Sequence, residues 1–467
     1  MIPLTLTEIA AITSGTLVGP GPGLAGRIVS APVEFDSRKL QPGGLFAAFV
    51  GDRLDGHDFA EKAIADGATA VLGSRAVAGV PTVLVDDPRA AMGRLARAVV
   101  DRLTDLTVVG LTGSSGKTTT KDMLAFLLGK RGATVATEGS LNNELGAPYT
   151  ALQATAATRF LVVEMGSRGL GHLRYLCNIV PPRIAVEINV GVAHIGEFGS
   201  VEGIAEAKGE LVEALPAEGL AVLNADDPRV RAMAARTKAR VVLAGEADDA
   251  DVQALDVVAG SGGLYQYTLK IGEQRQPVRL GWAGRHQVGN SLLAAAVAIE
   301  AGLTIDQVAV AFGELRPVSS RRMDVFERAD GVTVIDDSYN ANPASMAAAL
   351  RALVAIGEGR RTFAVLGSMA ELGDFEEAGH EEVGRLAAEL GVDRVVAVGE
   401  QAAPIDRGAK AAAGWGGSSV LVSDQEAAVA LLRDELRPGD VVLVKGSRYR
   451  TWDVVDSLRP EQPEAHS

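Results

Sequence analysis

One segment of the chain combines the residue types that bind nucleotide phosphates. Residues 108–112 have the pattern of a buried strand, residues 110–116 place three glycines in a turn, and Lys117 opens a helix. Backbone N–H groups at such a turn point toward one spot, where the positive end of the helix dipole attracts an anion. Lys117 adds a full charge, and the threonine hydroxyls suit a magnesium ion. The predicted nucleotide-binding residues of this phosphate loop are Gly113, Ser114, Ser115, Gly116, Lys117, Thr118 and Thr119.

The glycine spacing departs from the usual phosphate-loop pattern. A glycine normally stands five positions before Gly116, where this chain has Leu111, and its glycines fall at 110, 113 and 116 instead. An ordinary glycine-rich turn is the alternative interpretation. The succession of strand, Gly-Lys-Thr and helix favours a variant phosphate loop.

Ionisable residues follow other predicted strands of the same region. Glu164 ends an apolar run and His194 follows the strand 184–189. Ligands of α/β sheets bind beyond the carboxyl ends of the strands, so both side chains are expected beside the phosphate loop. Glu164 can bind magnesium through oxygen, whereas a lone histidine is often structural, and both interpretations stay open for His194. Lys208 lies on a predicted helix, and its spacing alone favours an ordinary solvated lysine.

Three further polar groups can either bind a substrate or stabilise the backbone. The corner Asp36-Ser37-Arg38 can bind an anion, but judged alone it favours a capped turn with a surface ion pair. Asn142 and Asn143 can orient a phosphate or carboxylate, and asparagines also make good turns. His286 and Asn290 flank the predicted start of a helix, where they can reach a base or ribose or act as caps.

Composition narrows the class of protein. The 467 residues carry a net charge of −14 without a visible basic patch, which disfavours a nucleic-acid partner. The single cysteine, Cys177, is typical of a reducing compartment. The N-terminus lacks the basic segment of a signal peptide, and no apolar run reaches the length of a membrane span. We therefore expect a cytoplasmic protein that does not insert into membranes.

The alternation of strands and helices predicts an α/β protein with three domains. Residues 1–87 form a small N-terminal α/β module. Residues 88–316 form a central phosphate-loop ATPase domain with a parallel sheet, to which the alternating pattern at 245–282 adds antiparallel strands. Residues 317–467 form a Rossmann-like C-terminal domain with a doubly wound sheet.

The C-terminal domain lacks a dinucleotide fingerprint. Its first strand runs into Asp336-Asp337-Ser-Tyr-Asn-Ala-Asn-Pro343 rather than G-x-G-x-x-G, which argues against a dinucleotide cofactor. One phosphate loop without a redox motif is compatible with a kinase, a motor, a switch or a ligase. The residues alone therefore indicate an ATP-using α/β enzyme.

The order of motifs along the chain resembles the Mur ligases, a family of amide-forming enzymes. The phosphate loop is followed by Leu-Asn-Asn-Glu144, Val-Glu164-Met-Gly, Gly-x-Ala-His194 and Glu-x-x-Ala-Glu-Ala-Lys208. The resemblance covers nearly the whole chain. Asp337-Ser-Tyr-Asn-Ala-Asn-Pro and Leu366-Gly-Ser-Met-Ala-Glu-Leu-Gly373 look like segments of the member that adds D-alanyl-D-alanine to UDP-N-acetylmuramoyl-tripeptide. The Asp-Asn-Pro-Arg signature of the member that adds the third residue is not found.

The resemblance implies an ATP-dependent ligase of cytoplasmic peptidoglycan precursor synthesis. The peptide carboxylate attacks the γ-phosphate of ATP, the dipeptide amine attacks the resulting acyl phosphate, and ADP and phosphate are released. Two Mg²⁺ ions are implied, one on Thr118 and one on Glu164, His194 and a carbamylated Lys208. The residues that the resemblance marks as catalytic are Lys117, Glu164, His194 and Lys208.

The resemblance also implies the remaining contacts. Nucleotide contacts outside the loop are expected from His286, Asn290, Arg322 and Asp337. Substrate contacts are expected from Ser37 and Arg38, which seat the uridine diphosphate end, and from Asn142, Asn143, Asn340 and Asn342. Two positions depart from the family pattern: Gln287 replaces an asparagine, and Arg321 competes with Arg322, which we prefer because it directly precedes Met323.

Two other functions share parts of this pattern. A folate polyglutamate ligase has the same fold and phosphate loop, but it usually begins directly at the nucleotide domain and lacks the Asp-Ser-Arg module. A non-catalytic nucleotide switch needs no second metal, whereas Glu164, His194 and Lys208 together favour one. No feature of the sequence indicates an obligate dimer, so we expect a monomer.

Overall fold

The computed structural model of the chain describes residues 1–51, 53–191 and 195–459. Within these residues a five-stranded, a nine-stranded and a six-stranded sheet follow one another along the chain, beside a small two-stranded sheet. Helices pack on all three larger sheets, so the predicted α/β architecture with three domains is confirmed. In the described part of the chain, no helix is both long and apolar enough to cross a membrane.

The N-terminal module is built on the five-stranded sheet. Its elements are β1 (Leu4–Thr5), α1 (Leu6–Thr13), β2 (Thr16–Val18), β3 (Ile28–Val29), β4 (Val33–Glu34), β5 (Leu45–Ala47), α2 (Ala60–Ala65), β6 (Ala70–Gly73) and β7 (Thr82–Leu84). The strand order is β2-β7-β6-β5-β4, with β4 to β7 parallel and β2 antiparallel to β7. Strands β1 and β3 form the separate antiparallel pair.

Helix α3 (Pro88–Arg102) follows this module and opens the central domain. Asp87 caps it by accepting backbone N–H groups of Arg89 at 2.8 Å and Ala90 at 3.2 Å. Proline at the first helical position costs nothing because its missing N–H has no partner there. The buried face of α3 packs against α1 of the module and against two helices of the central domain.

The central domain is built on the nine-stranded sheet. Its elements are β8 (Thr107–Thr112), α4 (Lys117–Gly129), β9 (Thr134–Ala136), α5 (Gly146–Ala151), β10 (Phe160–Glu164), α6 (His172–Ile179), β11 (Ile184–Glu187), α7 (Ile195–Phe198), α8 (Val201–Glu213), β12 (Leu220–Asn224), α9 (Pro228–Ala232), β13 (Arg240–Gly245), β14 (Val252–Ala259), β15 (Tyr265–Ile271), β16 (Gln274–Arg279), α10 (Gln287–Glu300) and α11 (Ile305–Glu314). The order is β16-β15-β14-β13-β12-β11-β8-β10-β9. Strands β8 to β14 pair in parallel, and β14, β15 and β16 form the predicted antiparallel hairpins.

The C-terminal domain is built on the six-stranded sheet. Its elements are β17 (Asp324–Glu327), β18 (Thr333–Asp336), α12 (Pro343–Gly357), β19 (Thr362–Gly367), α13 (Glu376–Glu389), β20 (Arg394–Val398), α14 (Ala403–Ala411), β21 (Ser418–Val422), α15 (Gln425–Glu435), β22 (Val441–Lys445) and α16 (Trp452–Leu458). The order is β17-β18-β22-β19-β20-β21, parallel except for the edge strand β17. The sequence predicts this doubly wound sheet but misses β17, α14 and α16.

The two faces of the central sheet belong to different hydrophobic cores. Val109 and Leu111 of β8 face a core that continues through α10 into the C-terminal domain. Leu161 and Val163 of β10 face a core that continues through α3 into the N-terminal module. Alternate residues of a strand point to opposite faces, which lets a single sheet hold both neighbouring domains.

Candidate active site

A cavity of about 730 Å³ lies between the carboxyl ends of the central and C-terminal sheets. Residues that follow β8, β10 and β11 line one wall, and residues that follow β18, β19 and β22 line the other. The predicted site residues that line it are Ser114, Ser115, Gly116, Lys117, Thr118, Thr119, Asn142, Asn143, Glu164, Lys208, His286, Asn290, Arg322, Asp337, Asn340 and Asn342. Gly113, Ser37 and Arg38 do not line it, and His194 lies outside the described residues.

The phosphate loop connects β8 to α4. Lys117 opens the helix and its Nζ donates to the Gly113 carbonyl at 2.7 Å. The loop is held from the neighbouring strand, because the Ser115 backbone N–H donates to Asn189 Oδ1 at 2.9 Å. Sequence reasoning missed Asn189, although an asparagine directly behind a buried strand is a signal that points to the same sheet edge.

Gly116 gives the loop its shape. Its φ of +79° lies in the left-handed region that glycine adopts without strain, and a Cβ on it would come 2.8 Å from Asn290 Oδ1. Asn290 is buried in α10 and donates from Nδ2 to Gln287 Oε1 at 2.9 Å. Asn290 therefore packs directly on the loop. Gln287, the residue that departs from the family pattern, accepts this hydrogen bond and thereby orients the Asn290 side chain.

The Lys117 ammonium is withdrawn from bulk solvent. This withdrawal lowers its pKa, the negative charge of Glu164 opposes the shift, and the guanidinium of Arg322 adds to it. Arg322 belongs to the C-terminal domain, so cations of both walls converge on one region. Such a region is electrostatically suited to a polyphosphate.

Glu164 ends β10 and is buried. Its Oε1 accepts from Asn142 Nδ2 at 2.7 Å, while its Oε2 is buried without a hydrogen-bond partner in the part of the chain that the structure describes. A buried carboxylate oxygen without a partner fits a cation that the structure does not contain. Asn143, in contrast, uses Oδ1 to accept the Gly146 backbone N–H at 3.0 Å, so its side-chain oxygen stabilises a turn.

The expectation from spacing that Lys208 is solvated is wrong. The residue is 5% exposed, because α8 packs on the central sheet through Ile204 and Leu211. Burial lowers the Lys208 pKa to about 7, Lys117 adds to this shift, and Glu187 opposes it. A lysine with a substantial neutral fraction near pH 7 can react with carbon dioxide, so the site fits a carbamylated Lys208.

Glu187 is a buried carboxylate that sequence reasoning missed. It is the last residue of β11, it is fully buried, and neither of its oxygens has a hydrogen-bond partner among the described residues. Burial raises its pKa to about 8, and the charges of Lys208 and Arg236 oppose the shift. The β8 residue paired with it, Thr112, also has a buried hydroxyl without a partner. A glutamate within an apolar strand is the signal that could have identified this polar patch.

The described residues contain no group of three or more histidine, cysteine, aspartate or glutamate side chains arranged to hold a metal ion. The residues expected to bind magnesium are instead spread over three separate elements of the central domain. Thr118 is buried at the start of α4, Glu164 ends β10 and Lys208 lies on α8. Of these three, Glu164 alone offers a carboxylate, so a magnesium ion here would take further oxygen ligands from outside the unmodified side chains.

The C-terminal wall contains a buried ion pair. Lys445, at the end of β22, donates to Asp337 Oδ2 at 2.5 Å and to the Asn340 carbonyl at 2.9 Å. Of the two candidate arginines, Arg322 lines the cavity, whereas Arg321 forms a bidentate ion pair with Asp456 at 2.7 and 3.0 Å. The structure thus places Arg322, and not Arg321, where a nucleotide could contact it.

Two contacts join the walls across the cavity. Tyr339 in the C-terminal domain hydrogen-bonds with Ser140 in the central domain. Asn342 caps α12 by accepting the Ser345 backbone N–H at 2.9 Å, and its Nδ2 lies 3.5 Å from the carbonyl of Ser114 in the phosphate loop. Asn342 therefore has a structural role in addition to any substrate contact. The sequence analysis includes Tyr339 in a motif but predicts no role for it.

The predicted uridine diphosphate contacts lie in the N-terminal module. Asp36 accepts the Arg38 backbone N–H at 3.1 Å and forms a bidentate ion pair with its guanidinium at 2.9 and 2.7 Å. This pairing lowers the Asp36 pKa to about 2. The geometry is that of a capped turn with a surface ion pair, and the Arg38 side chain is 85% exposed. Its outer face remains accessible to an anion.

Comparisons with known proteins extend over nearly the whole chain. Residues 32–99 match the Mur ligase family, catalytic domain, residues 111–298 match the Mur ligase middle domain, and residues 321–448 match the Mur ligase, glutamate ligase domain. The UDP-N-acetylmuramoyl-tripeptide--D-alanyl-D-alanine ligase of Mycobacterium tuberculosis (strain ATCC 25618 / H37Rv) is 47% identical, with 96% of each chain covered.

Solved structures of similar proteins share the fold. MurF from Acinetobacter baumannii gives a TM-score of 0.85 at 30% identity, covering 97% of this chain and 98% of that chain. The MurF ligase from Thermotoga maritima in complex with ADP gives a TM-score of 0.76 at 31% identity, covering 90% and 95%. With near-complete coverage on both sides and a phosphate loop facing a C-terminal wall across one cavity, the chain belongs to the Mur ligase family.

Proposed function

We propose that this chain catalyses the ATP-dependent joining of D-alanyl-D-alanine to UDP-N-acetylmuramoyl-tripeptide, with release of ADP and phosphate. The observation that carries the proposal is the shared cavity, which brings the phosphate loop of one domain against the Asp-Ser-Tyr-Asn-Ala-Asn-Pro segment of another. The near-full-length relative that is 47% identical is named for this reaction. We assign residues 1–87 to the UDP-substrate, 88–316 to ATP and 317–467 to closure over both, in a cytoplasmic monomer.

The reaction needs the peptide carboxylate and the γ-phosphate of ATP to be held in line. The peptide carboxylate attacks the γ-phosphate of ATP, so positioning supplies much of the rate. Lys117 and the backbone N–H groups that follow Gly113 bind the phosphates and stabilise charge on the transferred group. Arg322 approaches the same region from the C-terminal wall. A domain that closes here also excludes the water that would hydrolyse an acyl phosphate.

Magnesium, when bound, neutralises charge on the phosphate oxygens. Thr118 is the residue proposed for one ion, and Glu164, Lys208 and His194 are proposed for the second. The Glu164 Oε2 without a partner and the lowered pKa of Lys208 support the second site. An ammonium would repel magnesium, whereas a carbamate on the same nitrogen is anionic and offers oxygen ligands.

The remaining contacts divide between the outer domains. The exposed guanidinium of Arg38, with Ser37 beside it, is proposed to seat the uridine diphosphate end. His286 and Asn290 flank the start of α10 beside the loop and are proposed to contact the nucleoside. Asn142, Asn340 and the C-terminal wall then hold the peptide. Lysine and diaminopimelate are both candidates for its third residue.

The test is a complete reaction with purified protein, ATP, magnesium and the UDP-linked tripeptide. We expect phosphate release that depends on D-alanyl-D-alanine and a product heavier by the dipeptide minus water. Parallel reactions with the lysine and diaminopimelate tripeptides identify the natural substrate. Equal turnover with a single amino acid in place of the dipeptide would move the activity to a sister ligase, and no ATP-dependent amide product at all would refute the proposal.

A further inference from the structure

The two candidate tripeptides differ in one chemical group. In both, the third residue offers one carboxylate as the nucleophile, and its side chain extends from the adjacent carbon atom. A lysine side chain ends in an ammonium group alone, whereas a diaminopimelate side chain ends in an ammonium group and a second carboxylate. A ligase that selects diaminopimelate therefore needs a hydrogen-bond donor or a cation where this second carboxylate lies.

The position of the nucleophile limits where that cation can be. Under the proposed function the nucleophilic carboxylate meets the γ-phosphate on the central wall, beside Lys117 and Glu164. The far end of the third residue then stays within one side-chain length of this point. Residues 165–171 connect β10 to α6 directly after Glu164, and we call them the β10–α6 loop. This loop contributes Arg168 to the lining of the cavity.

The β10–α6 loop packs against a residue that we propose for peptide binding. The Gly166 backbone N–H donates to the Asn142 carbonyl at 2.7 Å. A Cβ on Gly166 would come 2.8 Å from Asn142 Oδ1, so a side chain at this position would displace that of Asn142. Glycine therefore lets the loop that carries Arg168 run directly beside Asn142.

The main chain around Arg168 is fixed by hydrogen bonds. The Arg168 backbone N–H donates to His172 Nδ1 at 3.3 Å. The Gly171 backbone N–H donates to Oε1 of Glu210, which is buried on α8. Together with the Gly166 hydrogen bond, these contacts hold the loop on both sides of Arg168. Its guanidinium therefore extends into the cavity from a fixed base.

The helices that anchor the loop also meet the C-terminal domain. Helix α7 directly precedes α8, which carries Glu210. A Cβ built on Gly196 of α7 would come 3.1 Å from the Gly373 nitrogen in the C-terminal domain. The two domains thus touch through main-chain atoms at this point. The contact limits how far the anchored loop can lie from the C-terminal wall.

The Arg168 guanidinium is available to a ligand. The residue is exposed, and its guanidinium forms no hydrogen bond or ion pair with any residue that the structure describes. By contrast, Arg285 pairs with Glu246 at 2.6 Å, and Arg448 donates to the Tyr339 hydroxyl at 2.8 Å. An arginine presents its N–H donors in a rigid fork that matches the two oxygens of a carboxylate. Arg168 therefore suits a carboxylate of the substrate.

The overall charge of the cavity favours the same substrate. Among the described residues, six arginines and three lysines line the cavity, against four carboxylates. A lysine tripeptide would add the ammonium charge of its third residue to this excess of cations, which is unfavourable. The far end of diaminopimelate carries both charges and adds none in total.

We propose that the third residue of the tripeptide is diaminopimelate and that Arg168 binds the carboxylate at the far end of its side chain. This inference rests on the proposed function. Arg168 contacts the group by which the two tripeptides differ and takes no part in phosphate transfer. It is therefore a specificity-determining residue of the first substrate.

The experiment compares both tripeptides in the wild type and in Arg168→Gln. The KM for each UDP-linked tripeptide is measured from phosphate release at saturating ATP and D-alanyl-D-alanine. For the wild type we expect the diaminopimelate KM to be at least ~10-fold below the lysine KM, as for one charge-assisted contact. In Arg168→Gln the diaminopimelate KM should rise at least ~10-fold, while the lysine KM should rise no more than about twofold. The kcat with either tripeptide should stay within about twofold of the wild type, because positioning of the nucleophile is unchanged.

A matched variant and the second substrate serve as controls. Arg174→Gln changes an arginine of α6 that lies near Glu210 and Glu213, at 3.7 and 3.3 Å, and does not line the cavity, so neither KM should change. Turnover of the lysine tripeptide by Arg168→Gln shows that this variant is folded.

Two results would overturn the proposal. An equal rise of both KM values in Arg168→Gln would assign Arg168 to a group that the two tripeptides share. A wild type without preference for diaminopimelate would show that the second carboxylate is not recognised. If the wild type joins D-alanyl-D-alanine to neither tripeptide, the proposed function itself fails, which is a distinct outcome.

Discussion

Two buried lysines face the same cavity from opposite walls. Lys445 in the C-terminal domain donates to Asp337 Oδ2 at 2.5 Å and to the backbone carbonyls of Asp337 and Asn340. Lys208 in the central domain has the carboxylate of Glu187 as its attractive charge, but neither Glu187 oxygen accepts a hydrogen bond from any described residue. Both side chains are at most 5% exposed, so the difference lies in how their charges are satisfied.

The difference separates a lysine held in an ion pair from the lysine for which we propose a chemical role. Burial lowers the pKa of both. For Lys445 the charge of Asp337 and a direct hydrogen bond oppose that shift, which favours a permanent ammonium joining β22 to the segment after β18. For Lys208 the pKa falls to about 7, because a carboxylate that does not hydrogen-bond compensates burial less well. A buried lysine is thus predisposed to modification when its counter-charge lacks a direct bond to it.

Removing Lys208 should have the largest effect on catalysis. Lys208→Ala should lower ligase turnover at least ~100-fold, as for the loss of a group that stabilises transition-state charge. The thermal unfolding temperature of the variant should stay near that of the wild type. The variant loses the packing of the lysine side chain, but it also loses the unfavourable burial of its charge. Steady-state phosphate release measures the first effect and calorimetry the second. Lys62→Ala, which removes a 61% exposed lysine, is the control. Full turnover in Lys208→Ala would exclude its proposed role at the metal.

Removing Lys445 should instead destabilise the fold. Lys445→Met leaves Asp337 as a buried charge without its partner, which should reduce the free energy of unfolding by about 3 kcal/mol. The double variant Lys445→Met/Asp337→Asn removes both charges and should recover most of that loss. Urea unfolding monitored by circular dichroism tests the pair. If the double variant is no more stable than Lys445→Met, the ion pair does not account for the stability of this wall.

The pH dependence of stability should reveal Glu187. Its pKa is raised to about 8, so between pH 4.5 and 8 the folded protein holds a proton that the unfolded chain has released. This contribution to stability is present at low pH and is lost as the pH rises toward 8. Lys208, with a lowered pKa, acts in the opposite direction only above pH 7.

Glu187→Gln removes the titrating group and keeps the side-chain shape. Relative to the wild type, the variant should gain about 2 kcal/mol in free energy of unfolding as the pH rises from 5 to 7. Urea unfolding at three pH values in this window is the measurement. Glu202→Gln, at an exposed carboxylate of the neighbouring helix α8, should show no such trend. If the free energies of unfolding of the wild type and of Glu187→Gln change by the same amount across this pH window, the raised pKa of Glu187 is contradicted.

The smallest effect is expected from the hydrogen bond that crosses between the two walls. Tyr339→Phe keeps the ring under Arg322 and Arg448 but removes the hydroxyl, which contacts Ser140 across the cavity and accepts from Arg448 Nη2 at 2.8 Å within its own domain. We expect a KM for ATP about threefold higher, since the hydrogen bond between the two walls is lost. Tyr175→Phe, at a partly exposed ring of the central domain, is the control. Equal KM values for the two variants would show that this bond does not stabilise closure.

The sequence predicts features that depend on neighbouring residues better than features that depend on packing. The phosphate loop follows from local order, because strand, glycines, Lys117 and helix adjoin one another. The burial of Lys208 depends on which face of α8 meets the central sheet, and helical spacing leaves that open. The contact of Gly116 with Asn290 joins residues far apart in the chain, so no local pattern could predict it.

The close approach of Gly196 to Gly373 has a practical consequence. Only main-chain atoms of the two domains meet at this point, so a methyl group added at Gly196 would come 3.1 Å from the Gly373 nitrogen and push it back by a few tenths of an ångström. Gly196 makes this contact from the first turn of a short helix, so the shift need not disturb either hydrophobic core. A chain with alanine at this junction would therefore test how closely the two domains must approach each other for turnover.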